Sequence, residues 1–494
     1  MGLLETEVHD ALRDWLRQHP QSLWGHHLTM GRLVSRTLRL NRSALIQTGT
    51  LGDRYHLSYL IPALLSAIPL QIVVSPPRQK HLQEQDLPAL QAWLTAYRGQ
   101  TIQSSIQVLT PEQWFNQRFQ ADGSPQIKLP TVIDQADYLE NWARDYFGQN
   151  LRRSDWENLS QRLPPLQEKI RDLQIHLTKA LFSRPPNPYE CYPLTPEEES
   201  ILITYLPQLT AIAPFNHPVQ SFWQTWQTQG DNSLLFAKLE RPSGQFSLHL
   251  SPVHLAQLLQ PYWQNPVVII GGFLDADKPA TTFRQTLGLG ELLCLKFSPN
   301  RQTESIQVYL PEKLPFPNTP EFKSVLFEQV QRLIRASLGL QLTIVILLDD
   351  FPLKAFLGTL LAAEFGARVQ VEKLHLTSGS ILISGWDFWC QQQEQLPTPH
   401  LLILGTLPLP SLEHPLVARR VNYYKSHHQD WFRGYLLPTA IKALQQAVMP
   451  LRDKQGMIAV FDPRVNSRSY GSQILAALEP YAKSNYIDPS WFRN

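Results

Sequence analysis

Short runs of apolar residues recur along the chain, and each is followed by sequence with helical spacing. The runs lie at 43–50, 70–77, 129–136, 266–273, 342–350, 379–385, 400–409 and 456–464. Unbroken apolar strands that alternate with helices are typical of parallel sheets, because only strands covered on both faces are buried on both sides. The pattern therefore predicts an α/β fold built on parallel sheets.

The segment from about residue 140 to 230 differs, because its apolar residues have helical spacing. A pair of strand-like runs follows around a Pro-Ser-Gly turn and leads to the apolar run at 266–273. We expect a helical insertion that interrupts a first sheet, which is completed only after the insertion. The runs from about residue 340 onward would build a second sheet.

Composition excludes several classes of protein. No apolar run approaches the roughly 20 residues that span a bilayer, and the N-terminus reads as an amphipathic helix, so we expect a cytoplasmic protein without membrane contact. The cysteines, Cys191, Cys294 and Cys390, form no C-x-x-C pair, which predicts neither a disulfide framework nor a metal site. The net charge of +2 means that any nucleic-acid surface must be a local cluster of basic side chains.

Several stretches follow the order of the motifs of one helicase family. Residues 44–65 resemble its phosphate loop and following helix, 73–90 its motif Ia, and 132–137 (VIDQAD) its D-E-A-H box. Residues 267–289, 383–415 and 430–471 resemble its later motifs. The chain thus resembles the DinG/XPD-type superfamily 2 DNA helicases, and the resemblance covers most of its length.

The resemblance implies two tandem RecA-like domains, parallel-sheet α/β units, with a helical insertion in the first. The first domain would comprise residues 1–140 and 236–300, separated by a reduced arch-like insertion at 141–235. The second domain, the helicase C-terminal one, would occupy residues 301–494.

The phosphate loop departs from the family at its critical end. Such a loop needs backbone N–H groups around the β-phosphate, a lysine, and a hydroxyl for magnesium. Gly49, Thr50 and Gly52 remain, but Asp53, Arg54 and Tyr55 occupy the end of the loop where the lysine and the hydroxyl are needed. Arg54 could supply charge, although its planar fork replaces an ammonium poorly. We interpret the glycines as a strand-to-helix turn and these residues as the remnant of a phosphate loop.

The D-E-A-H box and the arginine motif also lack residues that the family uses for ATP hydrolysis. Asp134 could still support hydrated magnesium, but Gln135 replaces the glutamate that would accept a proton, and an amide cannot do so at neutral pH. Asp137 replaces the histidine that couples nucleotide to nucleic acid. Pro450 stands at the first arginine-finger position, and Arg452 is the nearby candidate for the second.

The family's iron–sulfur cluster is held by four cysteines between the phosphate loop and the D-E-A-H box. Residues 56–130 contain no cysteine, so we expect no iron–sulfur cluster.

Nucleic-acid contacts are less clearly lost. Ser75, Arg78 and Lys80 stand where the family touches the DNA backbone, and Arg32, Arg36 and Arg39 share one face of a helix. A solvated helix face explains these arginines equally well. Trp223 and Trp226 in the insertion could stack on bases or form a core or partner interface.

Together these residues predict a degenerate DinG/XPD-like homologue without ATPase activity. It would act as a nucleic-acid-binding or protein-interaction scaffold, with single-stranded nucleic acid and a protein as candidate partners. The alternative is an ATP-dependent DNA helicase with an atypical phosphate loop, in which case ATP and magnesium are its cofactors.

Overall fold

The computed structural model describes residues 4–20, 24–66, 68–101, 105–118, 129–214, 217–337 and 341–488. In chain order its strands are β1 (Ala44–Gln47), β2 (Leu70–Val73), β3 (Ile106–Leu109), β4 (Thr131–Ile133), β5 (Gln149–Leu151), β6 (Cys191–Pro193), β7 (Ser233–Glu240), β8 (Gln245–Pro252), β9 (Val267–Gly271), β10 (Leu293–Lys296), β11 (Ile306–Tyr309), β12 (Ile344–Leu347), β13 (Val369–Val371), β14 (Ile381–Ser384), β15 (Leu401–Leu404), β16 (Met457–Val460) and β17 (Tyr481–Ser484).

The α-helices alternate with these strands in both halves of the chain. They are α1 (Leu4–Gln18), α2 (His27–Arg39), α3 (Leu57–Leu65), α4 (Pro76–His81), α5 (Leu87–Arg98), α6 (Pro111–Arg118), α7 (Leu139–Phe147), α8 (Arg153–Arg162), α9 (Gln167–Phe182), α10 (Pro196–Thr210), α11 (Pro218–Gln229), α12 (Ala256–Leu259), α13 (Thr281–Leu287), α14 (Phe322–Ala336), α15 (Phe351–Phe365), α16 (Trp386–Gln392), α17 (Pro415–Ser426), α18 (Leu437–Arg452), α19 (Arg464–Ser467) and α20 (Gly471–Ala477).

Two parallel sheets form two successive domains. The first domain has six strands in the order β10-β1-β9-β4-β2-β3, and the second has seven in the order β13-β14-β12-β15-β16-β11-β17. Every residue of β1, β2, β4 and β9 is buried, as expected for strands covered by helices on both faces. The prediction of an α/β fold with two parallel sheets is confirmed, and the first sheet is completed after the insertion.

The strands that the apolar pattern did not reveal lie mostly at the sheet edges. β3 and β10 flank the first sheet, and β13 and β17 flank the second. Each of these four strands has half-buried or exposed residues. An edge strand is covered on fewer sides, so its sequence does not need to be continuously apolar.

The insertion combines helices with a small antiparallel sheet. Helices α8 to α11 pack on a four-stranded sheet in the order β5-β8-β7-β6. The predicted boundary at residue 235 falls inside β7, and the hairpin of β7 and β8 pairs with β5 and β6, not with the first parallel sheet. In the structure the insertion therefore extends to the end of β8.

Within the described ranges, no helix is both long enough and apolar enough to cross a bilayer.

Candidate functional site

The remnant phosphate loop connects β1 to α3 and packs against neighbouring loops. Gly49 and Gly52 have positive φ values of 67° and 70°, a conformation that favours glycine. The N–H of Gly49 donates to the carbonyl of Gly272 at 3.1 Å, so this donor is already used within the protein. Thr50 is buried. Arg54 forms an ion pair with Asp453 of the second domain, while the side chain of Asp53 lies outside what the structure describes.

Two tyrosines that follow this loop bind the aspartate at the end of β4. The hydroxyl of Tyr55 donates to Oδ1 of Asp134 at 2.6 Å, and that of Tyr59 donates to Oδ2 at 2.7 Å. All three side chains are buried. Burial raises the pKa of the Asp134 carboxyl, although the hydroxyl donors oppose that shift. Burial, followed by the nearby Asp134 carboxyl, raises the pKa of Tyr55 well above its usual value, so Tyr55 remains a neutral donor.

Gln135 and Asp137 make structural hydrogen bonds. Gln135 has a left-handed backbone with φ of 56°, and its Oε1 accepts the N–H of Ser75 at 3.1 Å. Asp137 is buried, and its carboxylate accepts the N–H groups of Gly272 at 2.6 Å and Phe273 at 2.8 Å. The carboxylate therefore joins the end of β4 to the loop that follows β9.

Arg452 is enclosed by backbone carbonyls within the second domain. It is 2% exposed, and its guanidinium donates to Glu304 O at 2.9 Å, Leu478 O at 2.9 Å and Glu479 O at 3.0 Å. Burial lowers its pKa to about 10. Its donors thus bind backbone carbonyls of its own domain.

Contacts between the two domains surround this region and were not predicted. Glu140 on α7 accepts hydrogen bonds from Arg144 at 3.0 Å and from Arg420 on α17 at 2.8 Å. On α18, Lys442 Nζ donates to the backbone carbonyl of Asp137 at 2.5 Å, and Gln446 Nε2 donates to its carboxylate at 3.3 Å. These contacts connect the end of the first sheet directly to the second domain.

The basic residues considered for nucleic-acid contact do not form one cluster. Arg78 is 8% exposed and pairs with Asp86 at 3.1 Å, so its side chain belongs to the interior. Arg39 forms a two-pronged hydrogen bond with Glu5. Arg32, Arg36 and Lys80 are exposed, while Ser75 is half-buried and its N–H is used by Gln135.

Packing also accounts for the positions of the tryptophans and cysteines that the sequence offered as candidates. Trp223 and Trp226 meet edge to face with ring centroids 5.7 Å apart, and both pack against the core of the insertion. Cys191 is buried, and Cys294 and Cys390 are half-buried, all as free thiols. Over the described ranges, no group of three or more His, Cys, Asp or Glu side chains is arranged to hold a metal ion.

Sequence reasoning therefore missed the residues that make most of the site's contacts. Tyr55 was recognised only as a replacement in the loop, and nothing in its neighbourhood indicates that its ring reaches Asp134. Glu140 and Arg420 are separated by 280 positions, so no local pattern relates them. The apolar run before Asp134 was the available signal, and it located the strand end correctly.

Comparisons with known proteins find similarity to helicases. The helicase C-terminal domain family matches residues 396–481. The ATP-dependent DNA helicase YoaA of Escherichia coli strain K12 is 23% identical over 297 residues, which are 57% of this chain and 44% of YoaA. This chain thus spans less than half the length of that relative.

Solved structures share the fold. Xpd4 of S. tokodaii superposes with a TM-score of 0.61 at 13% identity, covering 93% of this chain and all of Xpd4. A structure of an XPD helicase gives a TM-score of 0.60 at 12% identity, covering 94% of this chain and all of the other.

The fold is that of two tandem RecA-like domains, the first interrupted by a mainly helical insertion. Within that class, the chain is similar to helicases, through the helicase C-terminal domain at 396–481 and the match to YoaA, in agreement with the resemblance of its sequence motifs to DinG/XPD-type helicases.

Proposed function

We propose that this helicase homologue has lost ATP hydrolysis and acts as a scaffold that binds single-stranded nucleic acid or a protein partner. The observation that carries the proposal is the Asp134 carboxylate, whose two oxygens accept the hydroxyls of Tyr55 and Tyr59. A hydrated magnesium ion held at this strand end needs a carboxylate oxygen that can accept from its waters. In this chain, buried tyrosine hydroxyls take that place.

The charge balance of the site supports the same proposal. A phosphate loop acts by placing positive charge against the β- and γ-phosphates. Here the groups nearest Asp134 are neutral hydroxyls, and Arg54 is engaged by Asp453. Gln135 has an amide where hydrolysis needs a proton acceptor. The guanidinium of Arg452 donates its hydrogen bonds to backbone carbonyls. The residues present do not fit magnesium and ATP.

The scaffold has two candidate partners. Similarity to helicases favours nucleic acid, and the near-zero net charge of +2 favours a protein partner. A cytoplasmic location is part of the same proposal.

The competing function is an ATP-dependent DNA helicase with an atypical phosphate loop. Gly49 and Gly52 retain the left-handed backbone that a tight phosphate-binding turn would use. YoaA, the similar protein of Escherichia coli, is named as an ATP-dependent DNA helicase. A measurement of ATP hydrolysis separates the two functions, because only the helicase would need the Asp134 carboxylate to hold magnesium.

ATP hydrolysis by the purified chain is the decisive measurement, made with magnesium and with and without single-stranded DNA. We expect no turnover above that of the Asp134→Ala variant under either condition. Binding of a magnesium complex of a non-hydrolysable ATP analogue should also be absent by calorimetry. DNA-stimulated hydrolysis that disappears in Asp134→Ala would restore the helicase function.

A further inference from the structure

Helix α15 of the second domain is apolar on the side that faces solvent as well as on the side that faces the sheet. Its buried residues, such as Leu353, Leu357 and Leu361, pack on the second sheet. Ahead of Glu364, the exposed positions of the helix are also uncharged: Phe351, Pro352, Ala355, Thr359, Ala362 and Ala363. A surface helix normally has charged or polar residues on its outer side, and a helix that is apolar all round is normally covered. The outer side of α15 therefore has the composition of a covered surface.

The neighbouring helix α14 has the usual distribution of charge. It packs in the same core as α15, and its outer side carries the exposed side chains of Lys323, Glu328, Arg332 and Arg335. Both helices cover the same sheet, so their common position does not explain the difference. The uncharged outer side is a feature of α15 itself.

The polar groups of α15 are satisfied away from its outer side. Lys354 Nζ donates to Glu372 Oε1 at 2.5 Å, and Glu364 Oε1 accepts from Arg335 Nε at 2.8 Å. The hydroxyl of Thr359 donates to a backbone carbonyl one turn earlier in the helix at 3.0 Å. Between the two flanking ion pairs, the outer side of α15 is an apolar surface.

This apolar surface continues to the edge of the sheet. Phe351, at the start of α15, is 62% exposed, and Val371, in the edge strand β13, is 44% exposed. The side chain of Val371 lies against α15 at Gly358, where an added Cβ atom would be 3.3 Å from Val371 Cγ2. We call the exposed uncharged residues of α15 given above, together with Val371, the α15 face. Because β13 ends the sheet, another molecule can approach this face without displacing a strand.

The two ends of α15 carry opposite charge. At its start, the side chains of Asp349, Asp350 and Asp387 are exposed. Partial burial raises the pKa of Asp349 to about 6, and the carboxylates of Asp387 and Asp350 contribute to that shift, so the three acids lie close together. At the other end lie Arg335, which is 58% exposed, and Arg368, which follows the helix. Glu364 offsets only one of these two guanidinium groups.

We propose that two copies of this chain associate through the α15 face, with the two α15 helices antiparallel across a two-fold axis. A two-fold interface uses the same surface on both copies, so the surface must complement itself. In the antiparallel arrangement the acidic start of each helix meets the basic end of the other, and Ala355 and Thr359 lie near the axis. Their small side chains allow the two helices to approach closely. The inference rests on the proposed scaffold function and deepens it by making a second copy of the chain the protein partner.

The size of the α15 face sets the expected strength of the association. Stable interfaces bury at least about 1,200 Å² in total and use roughly 20 residues or more on each side. The α15 face and its charged ends comprise fewer residues than that. We therefore expect a weak dimer, with a dissociation constant on the order of 10–100 μM.

Sedimentation velocity of the purified chain between about 1 and 300 μM measures the association, and we expect conversion from monomer to dimer over this range. Thr359→Glu should raise the dissociation constant at least about tenfold, because two carboxylates would face each other near the axis. Glutamate is compatible with a helix and the position is exposed, so the fold should persist. Ala96→Glu, at an exposed position of α5, is the matched control and should dimerise like the unmodified chain.

Exchange of the charges at the two ends tests the antiparallel orientation. Asp349→Arg and Arg335→Glu should each weaken dimerisation about threefold to tenfold, because each places like charges against one another. The double variant should recover part of the lost affinity, since acid and base have then exchanged places across the interface. Absence of any recovery would overturn the antiparallel arrangement.

Photocrosslinking locates the contact independently of affinity. With p-benzoylphenylalanine in place of Thr359, the crosslinked dimer should join two peptides that both contain residues of the α15 face. A chain that stays monomeric over the whole range, a dimer that Thr359→Glu does not weaken, or crosslinks confined to other regions would overturn the proposal. The assay of ATP hydrolysis is decided separately. A monomer without hydrolysis rejects the dimer alone, whereas hydrolysis rejects the proposed function whatever the sedimentation result.

Discussion

Arg420 of the second domain donates to Oε1 of Glu140 in the first at 2.8 Å, and Arg144 donates to the same oxygen at 3.0 Å. Burial alone would raise the pKa of Glu140, but Arg420, Arg144 and Lys442 outweigh it and lower that pKa to about 2. One carboxylate thus holds guanidinium groups from both domains. With Lys442 on Asp137 and Arg54 on Asp453, it provides a charged connection between the domains that contains no nucleotide.

The first prediction concerns stability of this connection. Arg420→Ala should lower the free energy of unfolding by about 1–3 kcal/mol, because Glu140 loses a charged hydrogen-bond partner while retaining Arg144. Urea denaturation measures the change. Arg433→Ala, at an exposed position, is the matched control and should be within about 0.5 kcal/mol of the unmodified chain. Equal stabilities of Arg420→Ala and the control would show that the ion pair contributes nothing.

The second prediction follows from the depressed pKa of Glu140. The group is more acidic in the folded chain, about 2 against 4.5, so its stabilisation is complete above pH 4.5 and is lost as the pH falls towards 2. Part of its side chain is accessible to solvent, which screens the pair, so we expect a loss of at most about 3 kcal/mol. Glu140→Gln should flatten the pH dependence of stability in this window. An unchanged profile in that variant would assign the acid sensitivity to other carboxyls.

The third prediction concerns the arrangement of the domains. Because the charged connection needs no nucleotide, small-angle scattering should give the same radius of gyration with and without a magnesium–ATP analogue. The double variant Arg420→Ala/Lys442→Ala serves as the comparison, since loss of both contacts should allow the domains to separate and the radius to rise. Compaction of the unmodified chain on addition of nucleotide would contradict the prediction.

The fourth prediction concerns the tyrosines on Asp134. Tyr55→Phe and Tyr59→Phe should each destabilise the chain by about 1–3 kcal/mol, because a buried carboxylate loses a hydroxyl donor. Neither change should produce ATP hydrolysis, since the lysine and proton acceptor are still missing. Tyr481→Phe, which alters a partly exposed ring in the second domain, should leave stability nearly unchanged. Wild-type stability of both Tyr55→Phe and Tyr59→Phe would show that these hydroxyls are dispensable.

The fifth prediction concerns metals and thiols. Elemental analysis should find no stoichiometric iron or zinc, because the cysteines lack ligand spacing. Burial raises the pKa of Cys390 to about 12, so alkylation of this thiol in the native chain at neutral pH should be slow compared with the denatured chain. Peptide mass spectrometry after timed alkylation measures the difference. About four irons per chain would contradict the prediction about metals. Rapid alkylation of Cys390 in the native chain would contradict the prediction about its thiol.

The class of fold and the location of its central strands follow from the amino-acid sequence alone. Buried strands such as β1 and β12 must be apolar throughout, and this requirement is visible in any sequence that satisfies it. The ordered helicase-like motifs also located the strand ends at Gly49 and Asp134, because motif order follows the chain.

The contacts of those strand ends depend on tertiary packing. Tyr55 lies 79 positions from Asp134, and Arg420 lies 280 from Glu140, so each contact depends on how helices and domains pack. A sequence pattern reports the burial of a residue through its spacing along one element, but it does not report which distant side chain shares its pocket. For the same reason the sequence presented Arg78 and Arg452 as available cations, whereas packing enclosed both in the interior.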